Sequence, residues 1–216
     1  MISILIVALI AYLIGSISFS VIFTKKFAGF DVREKGSKNA GSTNVLRTAG
    51  KKLALLTLIC DILKGVCSIL IALLVAKITK ASVDKEEMLV LTAGVLVVIG
   101  HTFPIFFKFK GGKGVATSLG VLLMVNWKIG LICLVFALAI MAISRIVSLG
   151  SICAAILFPI LCIFIDDSYL VNGSHFGYII FGIILCLVVV FNHRENLKRL
   201  LSGKENKINF SKNVDK

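Results

Sequence analysis

Seven apolar runs, separated by short polar segments, dominate this sequence of 216 residues. The runs cover residues 2–23, 53–76, 88–106, 115–127, 129–144, 146–165 and 176–192. A helix needs about 20 consecutive apolar residues to cross the hydrocarbon core of a bilayer, and most of the runs reach or approach that length. A hydrophobic share of 58% also excludes an ordinary soluble domain, for which about 45–50% is typical. We therefore predict an all-α polytopic integral membrane bundle.

The number of crossings depends on the fourth and fifth runs. The run at 115–127 is short for a crossing. Together with the run at 129–144 it forms either one re-entrant hairpin or two closely linked spans around Trp127 and Lys128, a pair typical of the membrane interface. We predict seven transmembrane helices, with five as the alternative, in a single membrane-embedded domain over residues 1–216.

Positive charge is concentrated in alternate connecting segments. Four segments carry a net charge of +14 between them: 24–52, 107–114, 145–148 and the tail from residue 193 onward. The connections that separate these segments carry a net charge of −1. Because basic loops remain on the cytoplasmic side of a membrane, seven crossings predict an external N-terminus and a cytoplasmic C-terminus. The overall charge of +13 then needs no nucleic-acid partner to explain it.

The first cytoplasmic loop, residues 36–47, is rich in glycine, hydroxyl and amide side chains and ends in Arg47. Glycine exposes backbone N–H groups, and the guanidinium of arginine offers two donors in one plane. This set suits an oxyanion such as phosphate. A solvated loop with a helix cap is the alternative interpretation of the same composition.

The second loop, residues 100–117, resembles a nucleotide-binding P-loop but does not match it. The P-loop pattern requires glycine at position 107 and Ser or Thr at position 114, where this chain has Phe107 and Gly114. The loop nevertheless packs three glycines around Lys113 before a helix predicted to start near Val115. Exposed N–H groups and the positive end of a helix dipole predict an anion site there. A flexible basic connector is the alternative.

The third segment follows the last apolar run. His193 and Asn196 are three residues apart and share one face of a helix. A histidine at this position serves either as a capping or hydrogen-bonding group or as a general base. The basic residues Lys198, Arg199 and Lys204 are expected on a face exposed to solvent or lipid headgroups.

Together the three segments resemble one family. Gly-Ser-x-Asn-x-Gly-x-Thr-Asn-x-x-Arg from Gly36, Gly-His-x-Phe-Pro…Phe-Lys-Gly-Gly-Lys-Gly-Val-Ala-Thr from Gly100 and His-x-x-Asn-x-x-Arg-Leu-x-x-Gly-x-Glu from His193 are similar to the three motifs of the bacterial acyl-phosphate:glycerol-3-phosphate acyltransferases of the PlsY type. Lys38 and Ala40 depart from the usual glycine and proline, and the outer loop at 166–175 is longer than in compact members.

The resemblance implies transfer of a fatty acyl group from acyl phosphate to the 1-hydroxyl of sn-glycerol 3-phosphate. The products are lysophosphatidic acid and phosphate, in the first acylation of bacterial phospholipid synthesis. It further implies a multi-pass protein of the bacterial cell membrane whose active site faces the cytoplasm and whose partners are the two substrates and membrane lipids. Because acyl phosphate is already an activated anhydride, no cofactor or metal is expected. No obligate protein partner is evident from the sequence.

The resemblance also assigns roles to individual residues. Ser37, Arg47, Lys113, His193 and Asn196 are expected to be catalytic, the first two by binding a substrate phosphate and the last two by positioning glycerol 3-phosphate. Residues expected to bind phosphate or substrate, or to shape the loops that do, are Asn39, Thr43, Asn44, Lys110, Gly111, Gly112, Gly114 and Ser148. No carboxylate stands out as a general base, so the substrate's own phosphate is the candidate acceptor of the hydroxyl proton.

Two other functions fit the sequence less well. Acyltransferases that use thioesters carry a His-x-x-x-x-Asp dyad, but the residues five positions after the three histidines are Phe106, Ile180 and Lys198. An anion transporter or lipid-phosphate binding protein predicts charges along its spans or an inverted repeat. The spans hold only Asp61 and Lys64, whose spacing favours an ion pair with a structural role.

Overall fold

The computed structural model describes residues 1–165 and 175–207, and every regular element in these ranges is helical. The all-α class predicted from the sequence is thereby confirmed. The ten α-helices of the described ranges are α1 (Ile2–Gly15), α2 (Phe19–Ala28), α3 (Ser42–Ala49), α4 (Lys51–Ile78), α5 (Val83–Thr102), α6 (Val115–Val125), α7 (Trp127–Ser144), α8 (Val147–Phe164), α9 (His175–Asn192) and α10 (Arg194–Leu201). The longer outer loop expected at 166–175 lies outside the described residues, apart from His175.

Six segments of the described chain are long and apolar enough to cross a membrane. They are Ile2–Ala28, Lys51–Ile78, Val83–Phe107, Trp127–Ser144, Val147–Phe164 and His175–Asn192. The seventh apolar helix, α6, has 11 residues. At 1.5 Å per residue it extends about 16 Å, roughly half the thickness of the hydrocarbon core. The polytopic membrane bundle is therefore confirmed, whereas a count of seven crossings stays a prediction.

The first span is interrupted between α1 and α2, and a buried lysine satisfies the carbonyl groups at the break. Lys64 on α4 donates from Nζ to the carbonyl oxygens of Gly15 and Ile17, each at 3.1 Å. Its ammonium lies 3.0 Å from Asp61 Oδ1, which supplies the opposite charge. Backbone groups without partners are costly within a bilayer. The ion pair expected between Asp61 and Lys64 is thus present, and it supports the broken first span.

Helices of the bundle meet at glycines. A β-carbon on Gly100 of α5 would collide with the Tyr12 carbonyl of α1, and one on Gly120 of α6 would collide with the Ile62 carbonyl of α4. Close backbone approach of this kind is the usual way in which membrane helices associate. It places α5 against α1 and α4, and α6 against α4, while α8 packs against both α7 and α9.

Candidate active site

The first loop is organised around the side chain of Asn44, which is buried near the start of α3. Its Nδ2 donates to the carbonyl oxygens of Val32, Lys35 and Asn39 at 2.9–3.0 Å, and its Oδ1 accepts the backbone N–H of Ser37 at 2.9 Å. These bonds use both the NH₂ group and the carbonyl oxygen of the side-chain amide. Asn44 therefore shapes the loop, one of the two roles expected of it, and has no donor to spare for an anion.

An arginine joins the first loop to the second. Arg33 donates from Nη1 to the Phe107 carbonyl at 2.7 Å, and its Nε and Nη2 donate to the two carboxylate oxygens of Asp31 at 2.9 and 2.7 Å. The hydrogen bond from Arg33 holds the pKa of Asp31 well below its usual range. The backbone N–H of Ala40 also donates to the Gly111 carbonyl, at 3.4 Å. The two loops therefore form one structure.

The glycine loop folds back onto the end of α5. The N–H of Gly111 donates to the Thr102 carbonyl at 3.2 Å, and that of Gly112 to the His101 carbonyl at 3.1 Å. This differs from the expected cradle, because these two N–H groups are already used within the protein. The first turn of α6 offers further N–H groups, because α6 starts at Val115 after Gly114, which adopts a left-handed conformation with φ 86°.

Lys113 connects the glycine loop to the tail. Its Nζ donates a hydrogen bond to Asn196 Oδ1 on α10. Asn196 in turn donates from Nδ2 to Glu205 Oε1 at 2.8 Å, and Arg199 donates from Nε to Glu205 Oε2 at 2.8 Å. Arg199, expected on a solvated face, is partly exposed and also pairs with Glu205, which folds back onto α10. Three parts of the chain thereby meet at one polar cluster.

The electrostatics of this cluster lower the proton affinity of Lys113. Burial lowers its pKa to about 8, against the opposing effect of Glu205, and the positive charges of Arg199 and Arg47 lower it further. Arg47 is itself exposed at the end of α3, close enough for its charge to act on Lys113. Burial raises the pKa of Glu205, but hydrogen bonds from Asn196 and Arg199 outweigh it and the pKa is lowered. Glu205 is therefore an ionised anchor rather than a base.

His193 lies near the cluster and has one unprotonated ring nitrogen. Its Nδ1 lies 2.8 Å from the Val189 carbonyl oxygen. Since a carbonyl only accepts, Nδ1 carries the proton and Nε2 has a free lone pair. Burial and the charge of Lys113 lower the pKa of His193 to about 4. The ring is neutral at physiological pH, so Nε2 can accept a hydrogen bond from a hydroxyl group.

The other residues predicted for the site differ in how deeply they are buried. Ser148 is buried at the start of α8, close enough to Glu205 for its hydroxyl to make a minor contribution to the lowered pKa of that carboxyl. Ser37 is exposed, and Thr43 is half-buried on α3. The side chain of Lys110 is exposed, and its carbonyl oxygen accepts a bond of 3.4 Å from Arg33. Among the lysines of the second loop, Lys113 is thus the one brought into contact with the third segment.

An apolar groove begins beside the polar cluster. It is partly open and covers about 550 Å³, surrounding open space included, between α6, α7, α8 and α9. Val115 and Ser118 line it two and five residues after Lys113, and Val189 lines it one turn before His193. Deeper in the bundle its walls include Leu122, Cys133, Phe158 and Leu185. The arrangement places a polar cluster that contains Lys113 next to an apolar groove.

Several residues of the site were not assigned roles from the sequence. They are Asp31, Arg33, His101, Arg199 and Glu205. Three of them, His101, Arg199 and Glu205, stand inside the quoted motifs, which is the signal that could have identified them. Asp31 and Arg33 precede the first motif, and only the folded loop shows that they join two segments 74 residues apart.

Comparison with known proteins finds relatives that match almost the whole chain. The family model described as glycerol-3-phosphate acyltransferase matches residues 5–203. The glycerol-3-phosphate acyltransferase of Clostridioides difficile (strain 630) is 43% identical over 206 residues, covering 95% of this chain and 96% of that protein. The protein of the same name from Thermoanaerobacter sp. (strain X514) is 42% identical over 201 residues and covers 93% of each chain.

Two solved structures share the fold. The crystal structure of PlsY (YgiH), an integral membrane glycerol 3-phosphate acyltransferase, in its glycerol 3-phosphate form superposes with a TM-score of 0.83 at 36% identity and covers 96% of both chains. Its lysophosphatidic acid form gives a TM-score of 0.79 at the same identity and coverage. Matches in sequence and in structure thus extend over almost the whole chain, which belongs to the glycerol-3-phosphate acyltransferase family.

Proposed function

We propose that this protein transfers a fatty acyl group from acyl phosphate to the 1-hydroxyl of sn-glycerol 3-phosphate, releasing lysophosphatidic acid and phosphate. We further propose that residues 1–216 act as one membrane-embedded domain of the bacterial cell membrane, with the site on the cytoplasmic side. The concentration of basic residues in the loops that form the site supports this orientation, because basic loops remain on the cytoplasmic side.

The observation that carries the proposal is the hydrogen bond from Lys113 to Asn196. It unites the glycine loop with the tail at the mouth of the apolar groove, beside the first turn of α6. A reaction between a phosphate ester and a lipid phosphate needs cationic groups and an apolar channel side by side. Both substrates carry phosphate, and one carries an acyl chain.

The chemistry follows from these groups. The 1-hydroxyl oxygen attacks the acyl carbonyl carbon, an ester C–O bond forms, and the bond between that carbon and the phosphate oxygen breaks. The departing phosphate takes the electron pair and then the hydroxyl proton, so it leaves as hydrogen phosphate. Lys113 and the N–H groups at the start of α6 stabilise its negative charge. The long-chain donor supports a role for the groove as the acyl site.

His193 orients the nucleophile in this scheme. Its free Nε2 accepts a hydrogen bond from the hydroxyl, which aims an oxygen lone pair at the carbonyl carbon. A pKa of about 4 makes the ring a poor acceptor of a full proton. The proton therefore goes to a phosphate oxygen, a better base, as the absence of a candidate carboxylate in the sequence suggested.

Purified protein in lipid nanodiscs tests the proposal with matched donors of one chain length. Acyl phosphate, acyl-CoA and acyl-carrier protein are each supplied with glycerol 3-phosphate, and ester formation and donor consumption are measured. We expect turnover with acyl phosphate and little with either thioester. Turnover with a thioester but not with acyl phosphate would show that the donor is a thioester. Specific uptake of phosphate without ester formation would favour a transporter.

A further inference from the structure

His101 lies at the end of α5, beneath the glycine loop and outside the set of groups used above. Its ring is buried, with an exposed fraction of 6%. Nδ1 lies 2.7 Å from Lys64 Nζ and 3.6 Å from Asp61 Oδ1. The opposite edge of the ring, Nε2 and Cε1, faces Gly112, because a β-carbon at that glycine would collide with both atoms. The ring thus lies between a buried ion pair and the loop.

The bonds of Lys64 determine which ring nitrogen carries the proton. A lysine ammonium has three protons and no acceptor. Lys64 Nζ has three hydrogen-bond partners, the carbonyl oxygens of Gly15 and Ile17 and His101 Nδ1. Asp61 Oδ1 stands 3.0 Å from the ammonium without hydrogen-bonding geometry, so it balances the charge and leaves the three protons to the other acceptors. Nδ1 is therefore an acceptor, and Nε2 carries the proton.

We propose that His101, fixed by Lys64 as the neutral tautomer with its proton on Nε2, is a positioning residue that holds the glycine loop in its phosphate-binding shape. The inference rests on the proposed function for what the loop binds. Two contacts carry it: the His101 carbonyl accepts the Gly112 N–H at 3.1 Å, and the ring fills the space beneath the same glycine. Gly112 is also close to the Ala40 carbonyl, so His101 supports the seam between the first and second loops.

The effect on binding follows from where the loop leads. Lys113 and the first turn of α6 come directly after Gly112. A shift of the loop would displace the Lys113 ammonium from Asn196 and tilt the N–H groups away from the anion. Loss of the Nε2 edge is therefore expected to weaken phosphate binding more than it slows the chemical step.

The tautomer is tested first, in the wild-type protein, by 15N NMR of histidine-labelled enzyme in nanodiscs. The protein has three histidines, and the resonances missing from His101→Asn identify those of residue 101. We expect a protonated Nε2 and an unprotonated Nδ1. Inorganic phosphate, added without an acyl donor, should shift the His101 resonances. The opposite tautomer, or no response to phosphate at millimolar concentrations, would overturn the inference.

Substitution then separates positioning from folding. In His101→Asn the amide oxygen can still accept from Lys64, so the ion pair keeps its partner, but the Nε2 edge is lost. His101→Gln reaches further and returns an N–H toward Gly112. We expect the inhibition constant of inorganic phosphate to rise about ten-fold in His101→Asn, with a smaller change in kcat, and to be partly restored in His101→Gln. His175→Asn, at the far end of the bundle, is the matched control and should behave as the wild type.

The two KM values identify the phosphate concerned. A rise in the KM for glycerol 3-phosphate alone would show that the loop binds the acceptor. A rise in the KM for acyl phosphate alone would show that it binds the donor. Unchanged KM values and unchanged phosphate inhibition in a folded His101→Asn would overturn the inference. If the wild type binds phosphate with the expected resonance shift but forms no ester, the proposed function fails and the positioning role stands.

Discussion

At the scale of single residues, Gly112 occupies a position with no room for a β-carbon. Such an atom would collide with the His101 ring and lie 2.9 Å from the Ala40 carbonyl oxygen. We expect Gly112→Ala to lower kcat/KM at least ten-fold although it removes no charge, because the loop must move away from both neighbours. The matched control is Gly41→Ala, whose β-carbon meets only the Asn39 amide end, at 3.0 Å. Equal activity in the two variants, measured as ester formation, would contradict the close packing.

Substitution of Arg47 tests whether the paired donors of the guanidinium or only its charge matter at the end of α3. Its guanidinium acts on Lys113 through charge, and as a phosphate ligand it would use its paired donors. Arg47→Lys keeps the charge and loses the pair. We expect a loss of about ten-fold or more in kcat/KM, or roughly 1.4 kcal/mol of transition-state stabilisation. Arg194→Lys, an exposed arginine over Phe191, serves as the control. Wild-type kinetics in Arg47→Lys would remove Arg47 from the site.

The lowered pKa of Lys113 predicts an alkaline limit to activity. Below a pKa of about 8 the ammonium is charged and binds phosphate, and above it the neutral amine does not. The value of kcat/KM, which reports the free enzyme, should therefore fall as pH rises through about 8. Lys113→Arg keeps its charge throughout, so any remaining activity should lack this fall. A wild-type profile that is flat to pH 9.5 would show that the charge of Lys113 is not required.

At the scale of elements, α10 and the segment after it act as one unit held by Glu205. Its carboxylate accepts from Asn196 and Arg199 and opposes the fall in the Lys113 pKa. Glu205→Gln should lower the Tm and move the alkaline limit of kcat/KM to lower pH, since the negative charge that supports the ammonium is gone. Glu195→Gln, which breaks an exposed pair with Lys198 on the same helix, should change neither. A similar response in both variants would make Glu205 an ordinary surface charge.

The sequence predicted some of these elements closely and others poorly, for physical reasons. The start of α6 was expected near Val115 and lies there, because Gly114 and the apolar run after it mark a helix end locally. The run at 2–23 lies in one candidate span, as expected, but its helix is interrupted at residues 16–18. The carbonyl groups at the interruption accept hydrogen bonds from Lys64, which comes from another helix and is not visible in local hydropathy.

The first loop shows the same contrast. Lys38, which stands where relatives of this type often have glycine, adopts a left-handed conformation with φ 58°. Position 38 therefore requires a left-handed backbone conformation, which glycine adopts more readily than lysine. The engagement of the Gly111 and Gly112 N–H groups could not be predicted, because it depends on how the loop folds back onto α5. Residue types indicated an anion site, but the donors that remain free are set by tertiary contacts.

At the scale of the whole molecule, the distribution of charge predicts the orientation in the membrane. In a background without native cysteines, Lys38→Cys and Lys204→Cys should react only with membrane-permeant maleimides, and Val83→Cys should react with impermeant ones. All three positions are exposed, so failure to label is informative. Labelling of Lys38→Cys from outside intact cells would reverse the topology and exclude seven crossings in the predicted orientation.

The hydrogen bond between Lys113 and Asn196 joins residues 83 positions apart. This separation in sequence sets a delay between their synthesis on the ribosome. At a synthesis rate of about 5–20 residues per second, the amide leaves the ribosome roughly 4–17 seconds after the lysine that needs it. Until α9 has been inserted and the tail has been released, the nascent chain holds its loops and glycines but has no completed anion site. We therefore expect a growing chain in the membrane to be inactive until the last helix has docked.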